Sequence, residues 1–363
     1  MDICLRGRIA ALLAGVAIAA CALAAEEAPR NPHPVTLDAL SPLAGSEQLV
    51  ERLLSPITQL RIARYVDRAG EGLADQSIKI GEETFDLFVP SSPGESGYGL
   101  LVYVWPGDGI SMPVSWRRQF EARHLIFIAA RRSGNDQNVL DRRVPLALHG
   151  LGYASRHFRI DPQRVYIGGF SGGSRVAQKL ALGYPDVFRG LLLTGGSDPI
   201  GTAGFVPPGR ERMRLFQRRM RIVFATGTMD WPNQTKDART RASFGDFCVR
   251  GMQMVAPSRT GHWVPEDGVM ERVLRALERP VGDDGARSAC DARLDGEIRA
   301  RIDEVTRLHA AGRDDEAREK LAGVDELYGG LAAPDSLRLA EVLYPVLRAP
   351  PAGTRAAVPA GAH

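Results

Sequence analysis

Cysteine and lysine are both scarce in this chain of 363 residues: four cysteines, and four lysines (Lys79, Lys179, Lys236, Lys320) among 46 basic residues, the rest being arginine. No Cys/His cluster has ligand spacing, no H-E-x-x-H occurs and no Gly-rich Walker loop is present, so neither metal nor phosphate chemistry is indicated. No cofactor is expected. A surplus of one charge is also missing, because 43 acidic residues leave a formal net charge of only +3. With no Lys/Arg-rich run interleaved with aromatics, nothing provides a field for nucleic acid. Beyond the first 25 residues no stretch approaches the roughly 18 consecutive apolar residues of a membrane span.

The composition that is present, 44% hydrophobic and 25% charged with 39 Gly and 24 Pro, belongs to a folded globular chain. Arg6 and Arg8 precede an apolar, Ala-rich stretch from Ile9 to Ala25, after which the chain turns polar. Residues 1–25 therefore read as a secretory signal peptide. Two processing readings stay open: cleavage after Ala22-Leu23-Ala24, or a lipobox at Ile18-Ala19-Ala20-Cys21 that makes Cys21 a lipid-anchored N-terminus. The protein is expected to be exported, as a periplasmic, outer-membrane-anchored or secreted bacterial protein. Cys4 and Cys21 belong to that leader, which leaves Cys248 and Cys290 in an oxidising compartment, and they are expected to form a disulfide rather than stay as separate buried thiols.

Residues 26–44 are Pro-rich and polar and read as a linker. Leu49, Leu53, Leu54, Ile57, Leu60 and Ile62 recur at helical spacing within Ser46 to Asp67, which predicts one amphipathic helix. From about Ser77, short β-rich runs alternate with helical segments: 77–89, 99–105, 124–129, 165–170, 190–193, 221–225 and 252–256. Strands separated by helical crossovers predict an α/β fold with a mostly parallel sheet covered on both faces. The main domain spans 45–280. A helical annex follows over 281–348, and 349–363 reads as a disordered tail. Leu308 to Ala317 looks like one unit of a helical repeat, but a single unit cannot bury its own apolar face, so no array is expected.

Gly169-Phe170-Ser171-Gly172-Gly173 lies between an apolar β-run and an amphipathic helix, the context a nucleophile elbow requires. A serine hydroxyl is a weak nucleophile, so it must be raised on a tight turn where a base reaches it, with nearly side-chain-free neighbours at 169 and 173. The helix that follows aims its first N–H, that of Gly172, at a developing oxyanion. Asp230 ends an apolar run and a Gly turn, the edge where open sheets place their sites, and is preferred over Asp237 and Asp246. His262, on the loop after the last strand, is the base. His33, His124, His149, His157, His309 and His363 are badly placed for that task. A second oxyanion donor is expected from the Gly-rich turn after Leu100 to Trp105, with the Asp108 N–H first and Gly107 next. Trp231 and Trp263 each follow a triad member, and two readings of them stay open: walls of an apolar acyl pocket, or core packing. The basic segment Arg210 to Arg221 reads as a solvated helix face, with a lid that attracts acidic substrates as the alternative.

Ile160-Asp161-Pro162-Gln163-Arg164-Val165-Tyr166-Ile167-Gly168-Gly169-Phe170-Ser171-Gly172-Gly173, continued by Tyr184-Pro185-Asp186-Val187-Phe188, resembles the secreted α/β-hydrolase esterases related to polyhydroxybutyrate depolymerases and feruloyl esterases. The resemblance runs from about Ser77 to Leu277. It implies an α/β-hydrolase fold, an ester-cleaving reaction and the Ser171-Asp230-His262 triad. It departs at Pro106-Gly107, where that family carries His-Gly, and no separate polymer-binding domain is visible. The expected substrate is a small or oligomeric ester. A peptidase of the same fold and a non-catalytic binding protein on the same scaffold are the alternatives, and the oligomeric state is not legible.

Overall fold

The computed structural model describes residues 32–202, 204–282 and 287–348. The expected signal peptide, Cys21 and the segment 349–363 lie outside the described residues. Eight strands form one sheet: β1 (His33–Thr36), β2 (Thr84–Phe88), β3 (Tyr98–Val104), β4 (Leu125–Ala130), β5 (Ile160–Phe170), β6 (Gly190–Thr194), β7 (Arg221–Phe224) and β8 (Met252–Met254). Their order is β1-β2-β4-β3-β5-β6-β7-β8, with β2 antiparallel to both neighbours and every pair from β4 onward parallel. This is the α/β-hydrolase fold.

The helices of the main domain are α1 (Ser46–Leu53), α2 (Pro56–Ala69), α3 (Arg117–Ala122), α4 (Val144–His157), α5 (Gly172–Gly183), α6 (Arg210–Arg219), α7 (Trp231–Asp246) and α8 (Asp267–Glu278). Because side chains alternate along a strand, β3 serves two cores at once. Leu100, Val102 and Val104 pack in the cluster that α4 and α5 cover, whereas Leu101 and Tyr103 pack on the other face with Trp116, Phe120 and Leu274. Central strands buried on both faces read as the continuous apolar runs seen in the sequence.

Two expectations change. Residues 33–36 are not part of a linker: they pair with β2, His33 opposite Leu87 and Thr36 opposite Thr84, and Leu37 and Ala44 are buried. Pro34 has no N–H to give, which an edge strand tolerates. The single helix expected over 46–67 is two, because Pro56 disfavours helical geometry at the preceding residue. Ser55 is extended (φ −68°, ψ 151°) and its side chain accepts the Thr58 N–H, capping α2.

The annex consists of α9 (Arg287–Ala310), α10 (Asp314–Tyr328) and α11 (Asp335–Leu343). It shares a small core with α2, built from Ile57, Val305, Ala317, Leu321, Ala340 and Leu343. Asp325 of α10 accepts from Ser55 Oγ (2.5 Å) and from the Ile57 N–H (3.2 Å), so its carboxylate closes the N-terminus of α2, while burial raises its pKa. Cys248, just beyond α7, is joined to Cys290 of α9 by a disulfide, as the sequence suggests. Helix α6 is a crossover pinned to its neighbours, not a lid: Met213 and Phe216 are buried, Arg210 pairs with Asp295 at 2.5 Å and Arg212 pairs with Glu51.

His149 carries a pH prediction. It is buried in α4, its Nδ1 accepts the Ser41 N–H at 2.9 Å, and burial, followed by the charge of Arg156, pushes its pKa from 6.5 down to about 4. Folding therefore favours the neutral ring: the contribution is complete above the unfolded value of 6.5 and is lost as pH falls through 6.5 toward 4. Stability is expected to drop by about 2 kcal/mol from this group between pH 7 and pH 5. Denaturant midpoints across that range should flatten in His149→Gln, which keeps an acceptor for Ser41. Equal slopes in both proteins would remove His149 as the source.

Candidate active site

β5 runs into Ser171, which sits at φ 54° and ψ −119° and donates its N–H to Thr194 O at 2.8 Å. A non-glycine residue there is strained by roughly 1–3 kcal/mol and persists only because the surroundings hold it. The glycines on either side are steric requirements. A Cβ on Gly169 would lie 2.3 Å from the Gly173 carbonyl carbon, and one on Gly173 would lie 1.9 Å from Val104 O in β3. Arg175, one turn into α5, donates to Ser171 O at 2.9 Å and pairs with Asp198 at 2.9 Å, bracing the elbow from behind.

Asp230 and His262 come from the loops after β7 and β8, which are zipped together. Thr228 N donates to Pro257 O (2.9 Å), Met229 N to Thr260 O (2.9 Å), and Arg259 N to Thr228 Oγ1 (2.9 Å). Gly227 permits this approach, since its Cβ would lie 2.1 Å from Thr260 O. His262 Nδ1 then donates to Asp230 Oδ2 at 2.6 Å, and the carboxylate is buried while the ring remains half exposed. The ring lies on Phe170, the residue before Ser171, with centroids 4.7 Å apart, and its Cε1 stands 2.9 Å from where a Gly195 Cβ would be. Thr194, just before Gly195, is the residue that accepts the Ser171 N–H. Among the described residues no hydrogen bond joins His262 to Ser171 Oγ. Such pairs are commonly loose without substrate and tighten when it binds.

The rival acids lie elsewhere. Asp237 accepts from Ser197 Oγ (2.6 Å) and Thr226 Oγ1 (2.5 Å), and burial raises its pKa. Thr226 Oγ1 in turn receives the Gly195 and Gly196 N–H groups, so this buried network shapes the loop beneath His262. Asp246 ends α7, where its carbonyl takes Arg293. His124, His157 and His309 bond to Ser92 O, Asp38 and Asp314, and His33 lies in β1. One residue of the constellation was not anticipated: Asn233 Nδ2 donates to both Asp230 oxygens at 3.0 Å and lies 3.2 Å from His262 Nδ1. Its only trace in the sequence is an amide three residues after Asp230 at a helix start.

Gly107 and Asp108 lie in the loop after β3, which is fastened to the loop after β4. Asp108 Oδ1 accepts the Gly134 N–H (2.7 Å), and Asn135 N donates to Pro106 O (2.8 Å). The buried Arg143 guanidinium bonds Ser133 O (2.9 Å) and Trp105 O (3.2 Å). Gly172 opens α5, so its N–H has no intrahelical acceptor. Beside the elbow, Trp105, Pro106, Ile110, Phe170, Trp263 and Val264 line a mainly apolar cleft of ≈ 540 Å³. Its walls are fixed by Trp116 Nε1, which donates to Pro265 O at 2.6 Å. Trp263 belongs to this cleft and is 63% exposed, so core packing does not describe it. Trp231 is not in the core and not in this cleft: it opens α7, 72% exposed, outside the cleft lining. Among the described residues no group of three or more His, Cys, Asp or Glu is arranged to hold a metal, and no helix is long and apolar enough to cross a membrane.

No family model matches the chain, and a search of curated proteins finds no match. Solved structures are similar at low identity. A thermostable esterase is 13% identical with a TM-score of 0.41, over 56% of this chain and 58% of that one. An S-formylglutathione hydrolase from Agrobacterium tumefaciens is 16% identical with a TM-score of 0.39, over 55% and 90%. A ferulic acid esterase is 15% identical with a TM-score of 0.43, over 58% and 96%. This chain thus spans a little over half of the first of them. Similarity this remote says nothing of substrate, and the chemistry rests on the side chains themselves.

Proposed function

We propose that the protein is an exported serine hydrolase that cleaves carboxylic esters of small or oligomeric substrates, with Ser171 as nucleophile, His262 as base and Asp230 as its orienting acid. The observation that carries this reading is the buried Asp230 carboxylate on His262 Nδ1 at 2.6 Å, with the ring seated on the residue that precedes a strained serine elbow. The Nδ1–H to Asp230 bond leaves Nε2 as the free, basic nitrogen. Ser171 Oγ attacks the ester carbonyl carbon, its proton passes to His262 Nε2, and the carbonyl π pair moves onto oxygen. Collapse of that adduct breaks the bond to the alcohol, which takes the proton from His262. Water, deprotonated by the same nitrogen, then attacks the acyl-enzyme and releases the acid and Ser171.

The apolar cleft against Phe170 and Trp263 suits an apolar or aromatic acyl group. The motif over residues 160–173 supports the narrower assignment to esterases related to polyhydroxybutyrate depolymerases and feruloyl esterases. Export draws support from the leader composition and the disulfide, with Cys21 lipidation and cleavage before Ala25 as the two processing routes. Side-by-side assays of p-nitrophenyl acetate, a feruloyl ester and a peptide p-nitroanilide test the reading. Both esters should turn over and the anilide should not. Anilide cleavage exceeding ester cleavage would make the protein a peptidase, and no turnover of any of them would favour a binding role.

A further inference from the structure

A nucleophile elbow needs glycine two residues before and two residues after the serine, and leaves the position immediately after the serine free. This chain has glycine there as well. Gly172 is not among the residues with positive φ, so no backbone conformation demands it. What occupies the place of a side chain there is the carboxamide of Asn135. A Cβ on Gly172 would lie 2.0 Å from Asn135 Oδ1 and 2.9 Å from Asn135 Nδ2. The carboxamide thus fills the space a side chain at 172 would take, against the residue whose N–H opens α5.

The backbone of Asn135 is anchored on the oxyanion side of the site. Its N–H bonds Pro106 O at 2.8 Å, the preceding Gly134 N–H bonds the Asp108 carboxylate at 2.7 Å, and buried Arg143 ties Ser133 O to Trp105 O. The carboxamide, by contrast, is exposed and makes no hydrogen bond among the described residues. We propose that the Asn135 side chain is an oxyanion-hole donor, acting beside the Gly172 N–H. This rests on the hydrolase reading of Ser171. No protein group fixes which end of the amide faces the site, so the oxyanion, a pure acceptor, selects Nδ2–H. The arrangement also explains glycine at 172: any larger residue would displace the donor. Pro106 stands where the resembled esterases carry histidine, and the adjoining loop supplies the polar group.

The test measures Asn135→Leu and the isosteric Asn135→Asp against wild type. In both, kcat for an aryl ester is expected to fall about 100- to 1000-fold, the usual loss on removing one such donor, with KM changed by no more than about threefold. Affinity for an aryl boronic acid, which forms a tetrahedral anionic adduct on the serine, should fall by the same factor as kcat. Melting temperature should hold, since the side chain is exposed, and Asn135→Asp preserves shape if leucine does not fold. Gly172→Ala should lose activity as well, and Gly172→Ala/Asn135→Leu should lose little more than either alone, because both remove the same donor. If fluorophosphonate labels wild-type Ser171 but kcat of both Asn135 variants stays within about threefold of wild type, the donor role is wrong and the hydrolase stands. If wild type is not labelled at all, both fall together.

Discussion

Ser171→Ala is expected to lower kcat/KM for an aryl ester by about 10⁴-fold or more, because the acyl-enzyme has no oxygen on which to form and only the oxyanion donors and binding remain. That ratio corresponds to about 5 kcal/mol of lost transition-state stabilisation. The loss should be confined to chemistry. Among the described residues Ser171 Oγ makes no hydrogen bond to another element, and the N–H that anchors the turn to Thr194 O is kept by alanine. Melting curves of the two proteins should overlay, and binding of a non-hydrolysable substrate analogue should match. A variant that keeps more than about a tenth of wild-type turnover would place the nucleophile elsewhere.

Gly173→Ala is expected to have the largest effect on folding. Alanine is ordinarily about 1 kcal/mol better than glycine inside a helix. Here the added Cβ would meet Val104 O at 1.9 Å and Val104 C at 2.6 Å, both backbone atoms of a central strand. Neither can move without tearing β3 from β5, so the substitution should destabilise by about 4 kcal/mol or more, or abolish soluble expression. Gly296→Ala is the matched control. It lies within α9 with nothing inside 4 Å of its Cβ position, and should raise stability by about 1 kcal/mol. Denaturant midpoints of the three proteins measure both effects. A Gly173→Ala protein as stable as wild type would mean that helix α5 does not dock against β3 as closely as described.

Much of the fold and most of the candidate site were legible in the sequence because their physics is local. Strand β3 reads as an apolar run since both faces are buried, and the elbow reads from Gly169 and Gly173 since only glycine fits there. Asp230 and His262 follow from chain order and from their places after β7 and β8. The Cys248–Cys290 pairing is legible because these are the only cysteines beyond residue 25. The failures share a cause: each depends on what another segment brings. His33–Thr36 looks like a linker until β2 offers it an edge. Ser55 and Pro56 split a helix whose apolar spacing alone is continuous, and the capping partner Asp325 is 270 residues away. Trp231 follows Asp230 directly, but the helix it begins turns it to solvent rather than into the cleft. Asn233 and Asn135 carry no pattern of their own. Their meaning comes from a carboxylate and from a missing side chain supplied by other loops.

The central claim is that Ser171, His262 and Asp230 act as one acyl-transfer unit, and covalent labelling reaches it most directly. Folded wild-type protein exposed to a fluorophosphonate and mapped by mass spectrometry should carry a single adduct, on the peptide containing Ser171. The adduct should vanish in Ser171→Ala and form far more slowly in His262→Ala. An unlabelled wild-type protein, or an adduct on a different serine with Ser171 untouched, would contradict it.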